Sequence, residues 1–232
     1  MATYKRIVCL ANSRKHGRIC IAGIELGWKN ELLGWIRPTG TAEDGALFHT
    51  DIRTQDGSET RLLDIVQIPF FRAYPVNHQP ENWAIEANRR WQRKGQYDFS
   101  AITERAASEG DLWANGYSSL RGMNDRVPLD VALRHGNSLQ LTAVQNLSIE
   151  VADHFRNSGE RTRRMQATFS HSDNRYRLWI TDRAMEAIYL PKPDGIYSIE
   201  NAILTLSLGE PNDGWCYKLI AGVLLPPEGA AA

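Results

Sequence analysis

The chain is poor in cysteine. Its 232 residues hold three, Cys9, Cys20 and Cys216, with no CxxC pair and no Cys/His spacing of a zinc site. That excludes a disulfide scaffold and a zinc module, and it predicts buried core thiols in a reducing cytoplasm. Long apolar runs are missing too. The longest, residues 219–225, falls far short of the roughly 20 apolar residues that span a bilayer. No apolar segment follows the basic start Lys5-Arg6, so neither a secretory signal nor a membrane partner is expected. Net charge is also absent, since 27 Lys and Arg balance 27 Asp and Glu. Bulk attraction to nucleic acid is thereby excluded, and any such binding needs a local patch. Catalytic signatures are lacking as well: there is no GxSxG, HExxH or Walker A loop, and no two of the six histidines stand four apart. No catalytic residue, metal or cofactor is therefore expected.

What is present is an ordinary globular composition, 42% hydrophobic and 23% charged, with charge spread unevenly. Residues 1–37 carry seven basic side chains against Glu25 and Glu31, a local charge of +5. Residues 156–183 carry seven arginines against Glu160, Asp173 and Asp182, a local charge of +4. Residues 184–232 compensate, with Lys192 and Lys218 against six carboxylates.

Period-two alternation predicts strands at both ends of the chain. They are expected over 4–10, 18–26, 33–37 (stopped by Pro38), 62–71, 138–151 with a slip near Asn146, 165–171, 176–181, 202–208 and 217–225. Residues 11–17 read as a polar turn and 172–174 as a hairpin turn. Helices are expected over 81–94, with Asn82 as a possible cap, over 99–108 with Ser100 as N-cap, and from an Asp182 cap through Tyr189. The strands do not alternate with helices, which argues against a doubly wound parallel sheet. The fold class expected is mainly β: two tandem OB-like antiparallel barrels, 1–75 and 138–226, with a helical, turn-rich insert over 76–137 and a frayed tail over 227–232.

Four groups of residues are candidates for binding. In the first turn, Asn12, Ser13, Arg14, Lys15 and Arg18 combine charge with hydroxyl and amide donors, as a phosphate site requires. Trp35 and Arg37 alternate with Ile36, so a ring and a guanidinium share one strand face. Arg175, Arg177 and Trp179 form a second such stripe opposite Tyr176, Leu178 and Ile180. Arg161, Arg163 and Arg164 precede that strand in a loop that can clamp phosphates. Each group also has a bland reading, as a solvated turn, a core tryptophan with a snorkelling arginine, or a polar outer face. Within the insert, Trp83 and Trp91 are expected to pack on a barrel, leaving Arg89, Arg90, Arg93 and Lys94 solvated.

Several stretches together resemble the bacterial dual OB family. They are Lys5-Arg6-Ile7-Val8-Cys9-Leu10-Ala11-Asn12-Ser13-Arg14-Lys15, Gly17-Arg18-Ile19-Cys20-Ile21-Ala22-Gly23, Gly34-Trp35-Ile36-Arg37-Pro38, Leu112-Trp113-Ala114-Asn115-Gly116, Arg177-Leu178-Trp179-Ile180-Thr181-Asp182 and Ser207-Leu208-Gly209-Glu210-Pro211. A single glycine after His16 makes the first loop tighter than that family's. The resemblance implies tandem OB-like barrels, a prokaryotic cytoplasmic setting, nucleic-acid recognition and a place in defence against invading elements. The function expected is a non-catalytic module whose partner is nucleic acid, with single strands favoured over other forms. The alternative is a ligand- or protein-sensing adaptor whose partner is an effector protein. A third reading, a cryptic enzyme built on Asn12, His16, Asp125 and His171, has the least support.

Overall fold

A computed structural model describes residues 2–106, 110–155 and 159–227. Arg156 of the second basic segment, the end of the expected 99–108 helix and the expected tail beyond Pro227 lie outside them. The described chain divides into two units, Met1–Ile102 with Gly136–Ser138, and Thr103–His135 with Leu139–Ala232. The insert expected over 76–137 is therefore not a third body, because its first part packs in one unit and most of the rest in the other.

The first unit begins with β1 (Thr3–Lys15), β2 (Arg18–Leu26) and β3 (Leu32–Thr39), followed by β4 (Asp64–Ala73), β5 (Asn82–Ile85) and β6 (Gln92–Gln96). The turn expected over 11–17 shrinks to His16 and Gly17. Both have positive φ, 46° and 78°, as a two-residue type I′ hairpin requires, so Asn12–Lys15 remain in the ladder. Around the barrel β1 pairs β2, β2 pairs β3, β3 pairs β5, β5 pairs β4, and β4 returns to β1. Ile7, Cys9, Ile19, Ile21, Ile36, Val66, Ile68 and Phe70 fill its interior with Trp91.

Short α1 (Phe99–Arg105), β7 (Arg126–Pro128) and α2 (Leu129–His135) precede the second barrel. Its strands are β8 (Leu139–Phe155), β9 (Arg161–His171), β10 (Asn174–Ile180), β11 (Gly195–Leu208) and β12 (Trp215–Leu224), with α3 (Arg183–Tyr189) between β10 and β11. The circuit repeats: β8–β9, β9–β10, β10–β12, β12–β11, β11–β8. Counted within each unit, both barrels have the order 1-2-3-5-4-1, the five-stranded Greek-key arrangement of an OB-fold.

Wholly antiparallel barrels were expected, and here the structure corrects the sequence reading. β3–β5 and β10–β12 run parallel. Five strands closed in a ring cannot alternate direction at every joint, so one parallel joint is unavoidable.

The 81–94 helix is a second correction. β5 and β6 replace it, separated by a turn in which Asn88 has φ 63°. β5 pairs with both β3 and β4 and thereby closes the barrel, a tertiary demand that overrides local helix preference. Trp91 is fully buried and Trp83 packs against the same core, joined by strand pairing rather than by a helix face. Pro38 does not end β3, because it sits within the parallel joint opposite Trp83. In α1 the capping oxygen belongs to Asp98, which accepts from Ser100 N at 3.0 Å and is held below the ordinary carboxylate range mainly by that bond.

Asp182 caps α3 as expected. One carboxylate oxygen accepts from Ala184 N and Met185 N, and the other accepts from Val223 N on β12. The hairpin turn at Ser172 and Asp173 has positive φ at both residues, matching the expected type, and Asn146 has φ 54° where the strand was expected to slip.

Candidate nucleic-acid interface

Strand register in the second barrel builds one outward face from three strands. Tyr176, Leu178 and Ile180 point into the core, which turns Arg175, Arg177 and Trp179 the other way. Paired residues share a face, so Trp179 lies beside Gln166 on β9 and Gln166 beside Glu150 on β8. Arg164 and His154 occupy the same side one step along.

The contacts on this face centre on Trp179. The Arg164 guanidinium stands 3.9 Å from the indole centroid, and the His154 ring meets the indole edge-on at 4.8 Å. Arg177 pairs with Glu150 across the strands. Gln166 is buried and donates to Arg121 O at 2.8 Å from the turn-rich segment before β7. That segment also lies along the edge of β10, where Met123 and Arg177 exchange backbone hydrogen bonds and Asn124 Nδ2 donates to Arg175 O at 3.0 Å.

Electrostatics on this face favour an anion. Burial first, and then the charges of Arg121, Arg164 and Arg177, push the His154 pKa down, with Glu150 opposing them. Three buried polar atoms here, His154 Nε2, Thr162 Oγ1 and Gln166 Oε1, have no hydrogen-bond partner among the described residues. Such atoms are costly unless something else reaches them.

Of the candidates from the sequence, Arg164, Arg175, Arg177 and Trp179 come together here. Arg161 and Arg163 do not lie in a loop, because β9 begins at Arg161. Arg161 pairs with Asp153. Arg163 donates to Leu190 O, Asp194 Oδ1 and Lys192 O, which ties β9 to the connection after α3. That guanidinium is structural.

The first-barrel candidates are committed elsewhere. Asn12 Nδ2 donates to Thr60 O at 2.9 Å, and Ser13 is buried. Lys15 reaches Asp44 O, and Arg18 pairs with Asp44 Oδ1 at 3.3 Å while lying over the Phe48 ring. Burial pushes the Asp44 carboxyl up, but the Ala46 N–H and the charges of Lys15, Arg18 and His16 outweigh it and hold the group below its ordinary range. Arg14, paired with Ile19, points away from Lys15 and Arg18. The expected phosphate turn is therefore split between two faces and largely neutralised.

Arg37 departs furthest from expectation. It is 7% exposed, donates to Ser138 Oγ at 2.9 Å and pairs with Glu81 at 3.6 Å. Residues 81–82 and 136–138 cover the end of β3 and remove it from any open groove. Trp35, half-buried, sits in a cross-strand row with Ile24 and Val8. That row is apolar, not a basic stacking stripe.

Arg121, Glu150, His154 and Gln166 were not singled out in the sequence. Glu150 and His154 were legible in principle, because they fall at the outward positions of a strand whose Ile149 and Val151 are core. Arg121, in a segment without periodicity, carries no such signal.

Among the described residues, no three His, Cys, Asp or Glu side chains converge to hold a metal, and no helix is long and apolar enough to cross a membrane. The family model described as a dual OB-containing domain matches residues 5–223. No curated protein and no solved structure matches the chain.

Proposed function

Because this chain belongs to the dual OB-containing domain family, we propose that it binds single-stranded nucleic acid, without cleaving it, on the outward β8–β9–β10 face of its second barrel. The observation that carries this reading is Trp179, stacked by Arg164 and set among Arg121, Arg175 and Arg177. Counted within that barrel, β9 and β10 are the second and third strands, the face on which OB barrels take up oligonucleotides. Guanidinium and indole planes accept any base by stacking, while neighbouring arginines neutralise phosphates. His154 Nε2, Thr162 Oγ1 and Gln166 Oε1 supply polar atoms for base edges or phosphate oxygens.

Fluorescence anisotropy with a labelled single-stranded oligonucleotide at rising salt tests this. The expected result is affinity that falls steeply with salt, because each neutralised phosphate releases counterions. In Arg175→Ala/Arg177→Ala the affinity falls and the salt slope shrinks by about two. The oligonucleotide recovered after incubation with Mg²⁺ stays at full length. Wild-type affinity in the double variant, or a shortened oligonucleotide, overturns the reading.

A further inference from the structure

The first barrel carries an aromatic surface that the β8–β9–β10 site does not use. It lies where β1 begins and β4 ends. Tyr4 is 51% exposed, Phe71 63% and Tyr74 47%. Tyr4 pairs with Pro69, and a bulge between Phe70 and Arg72 throws Phe71 out of the ladder. Two arginines are interleaved with these rings. The Arg72 guanidinium lies 5.8 Å from the Phe71 centroid and 5.6 Å from that of Tyr74, and Arg89 donates to Tyr4 Oη at 2.9 Å. Trp28, 93% exposed on the β2–β3 turn, stands at the same end of the barrel.

What sets these arginines apart is their company. Arg18, Arg37, Arg93, Arg134, Arg161, Arg163 and Arg177 each pair with a carboxylate. Among the described residues, Arg72 and Arg89 meet only aromatic side chains. Their charge is uncompensated at a place where large rings are left in water. Exposed aromatics alone would fit a protein partner equally well. Rings whose neighbours are unpaired guanidiniums fit a chain of stacking bases joined by phosphates.

We infer that Tyr4, Phe71, Arg72, Tyr74 and Arg89 form a second binding site for single-stranded nucleic acid, off the β2–β3 face of the first barrel. Bases stack on Phe71 and Tyr74, and Arg72 and Arg89 meet the backbone. The inference rests on the reading that this chain binds single strands, but it uses none of the same residues.

Photocrosslinking and affinity together test it on the full chain. The probe is a single-stranded oligonucleotide of about 20 nucleotides, long enough for more than one OB site, carrying 5-iodouracil. Peptide mapping is expected to find crosslinks at Phe71 or Tyr74 as well as at Trp179. Phe71→Ala/Tyr74→Ala, which alters only exposed rings, is expected to lose the first crosslink, keep the second, and weaken binding by about tenfold, given that each stacked base is worth ~1–3 kcal/mol. Arg72→Gln/Arg89→Gln is expected to reduce the salt slope. Unchanged affinity with crosslinks confined to the second barrel overturns this site and leaves the β8–β9–β10 reading standing. Crosslinks confined to the first barrel, with Arg175→Ala/Arg177→Ala silent, do the reverse. No binding by the wild type overturns both. An altered oligomeric state in Phe71→Ala/Tyr74→Ala with unaltered binding makes the surface a contact between copies and also overturns the inference.

Discussion

The two barrels share a strand circuit and put it to different uses. Compare one cross-strand row in each. In the first barrel the row through the first three strands is Val8, Ile24 and Trp35. In the second it is Glu150, Gln166 and Trp179. Both rows end on a tryptophan, and in both an arginine follows or precedes it by two residues on the same strand. In the first barrel, however, the neighbours are apolar and Arg37 is buried against Glu81. In the second the neighbours are polar, Arg177 is partly exposed, and Arg164 covers the indole. Topology alone does not make a binding face, since the identity of the outward residues decides it.

The sharpest way to break this comparison exchanges the fates of its two arginines. Arg37→Ala leaves Glu81 buried without its cation, and losing one member of a buried pair typically costs about 3–5 kcal/mol. The expected outcome is a large drop in urea midpoint at unchanged m, with oligonucleotide affinity retained wherever the variant is folded. Arg177→Ala removes one end of a half-exposed pair and is expected to cost less than about 1 kcal/mol, while weakening binding. Equal stability losses at the two positions would erase the distinction drawn between the barrels.

The two positions also show what the sequence could convey. Alternation located most of the strands, and it identified the Arg175, Arg177 and Trp179 stripe because Tyr176, Leu178 and Ile180 are apolar without exception. The same reasoning put Trp35 and Arg37 on one face, which is true, yet it missed that residues 81–82 and 136–138 cover that face. Burial by segments distant in sequence leaves no local mark. β5 was lost for a related reason. Its four residues (Asn82–Ile85) are too short to show a period, and a ring of charged residues after them imitates a solvated helix. Lys15 and Arg18 read as free charge because Asp44 lies in a loop with no pattern to place it.

A second contrast lies in the connection between the third and fourth strands. The first barrel spans it with a long loop from Thr39 to Asp64, and the second inserts α3 under the Asp182 cap. Asp182→Ala orphans the N–H groups of Ala184, Met185 and Val223, and the expected cost is about 1–2 kcal/mol, at the upper end for a cap. Asp182→Asn keeps an accepting oxygen and is expected to cost less. Burial pushes the Asp182 carboxyl up to about 6, against the three N–H bonds. A group whose folded pKa is raised loses stability as pH climbs from its unfolded value, near 4, to about 6, and changes nothing above that. The difference in melting temperature between wild type and Asp182→Asn is therefore expected to shift toward the variant from pH 4 to 6 and then level off. A constant difference across that range would show that the cap bonds, not burial, set the titration.

The smallest expected effect sharpens the claim that charge on the second barrel awaits an anion. His154 faces Glu150, Arg164, Arg177 and Trp179 from β8, β9 and β10, and Arg121 from the segment before β7. Burial and the three arginines depress its pKa in the free protein. A phosphate seated among those arginines cancels part of that potential and stabilises the imidazolium, so binding takes up a proton. Affinity then rises as pH falls from the bound pKa toward the free one, and the gain is complete below the free pKa. A shift of one unit between the two states corresponds to about a tenfold change in affinity. Anisotropy titrations from pH 5 to 8 are expected to show this slope in wild type and not in His154→Gln. The first barrel has no histidine among the residues inferred to bind, so the contribution of Phe71 and Tyr74 is expected to stay flat over the same range. A slope that survives His154→Gln would move the titrating group off this face and weaken the case that anions bind there.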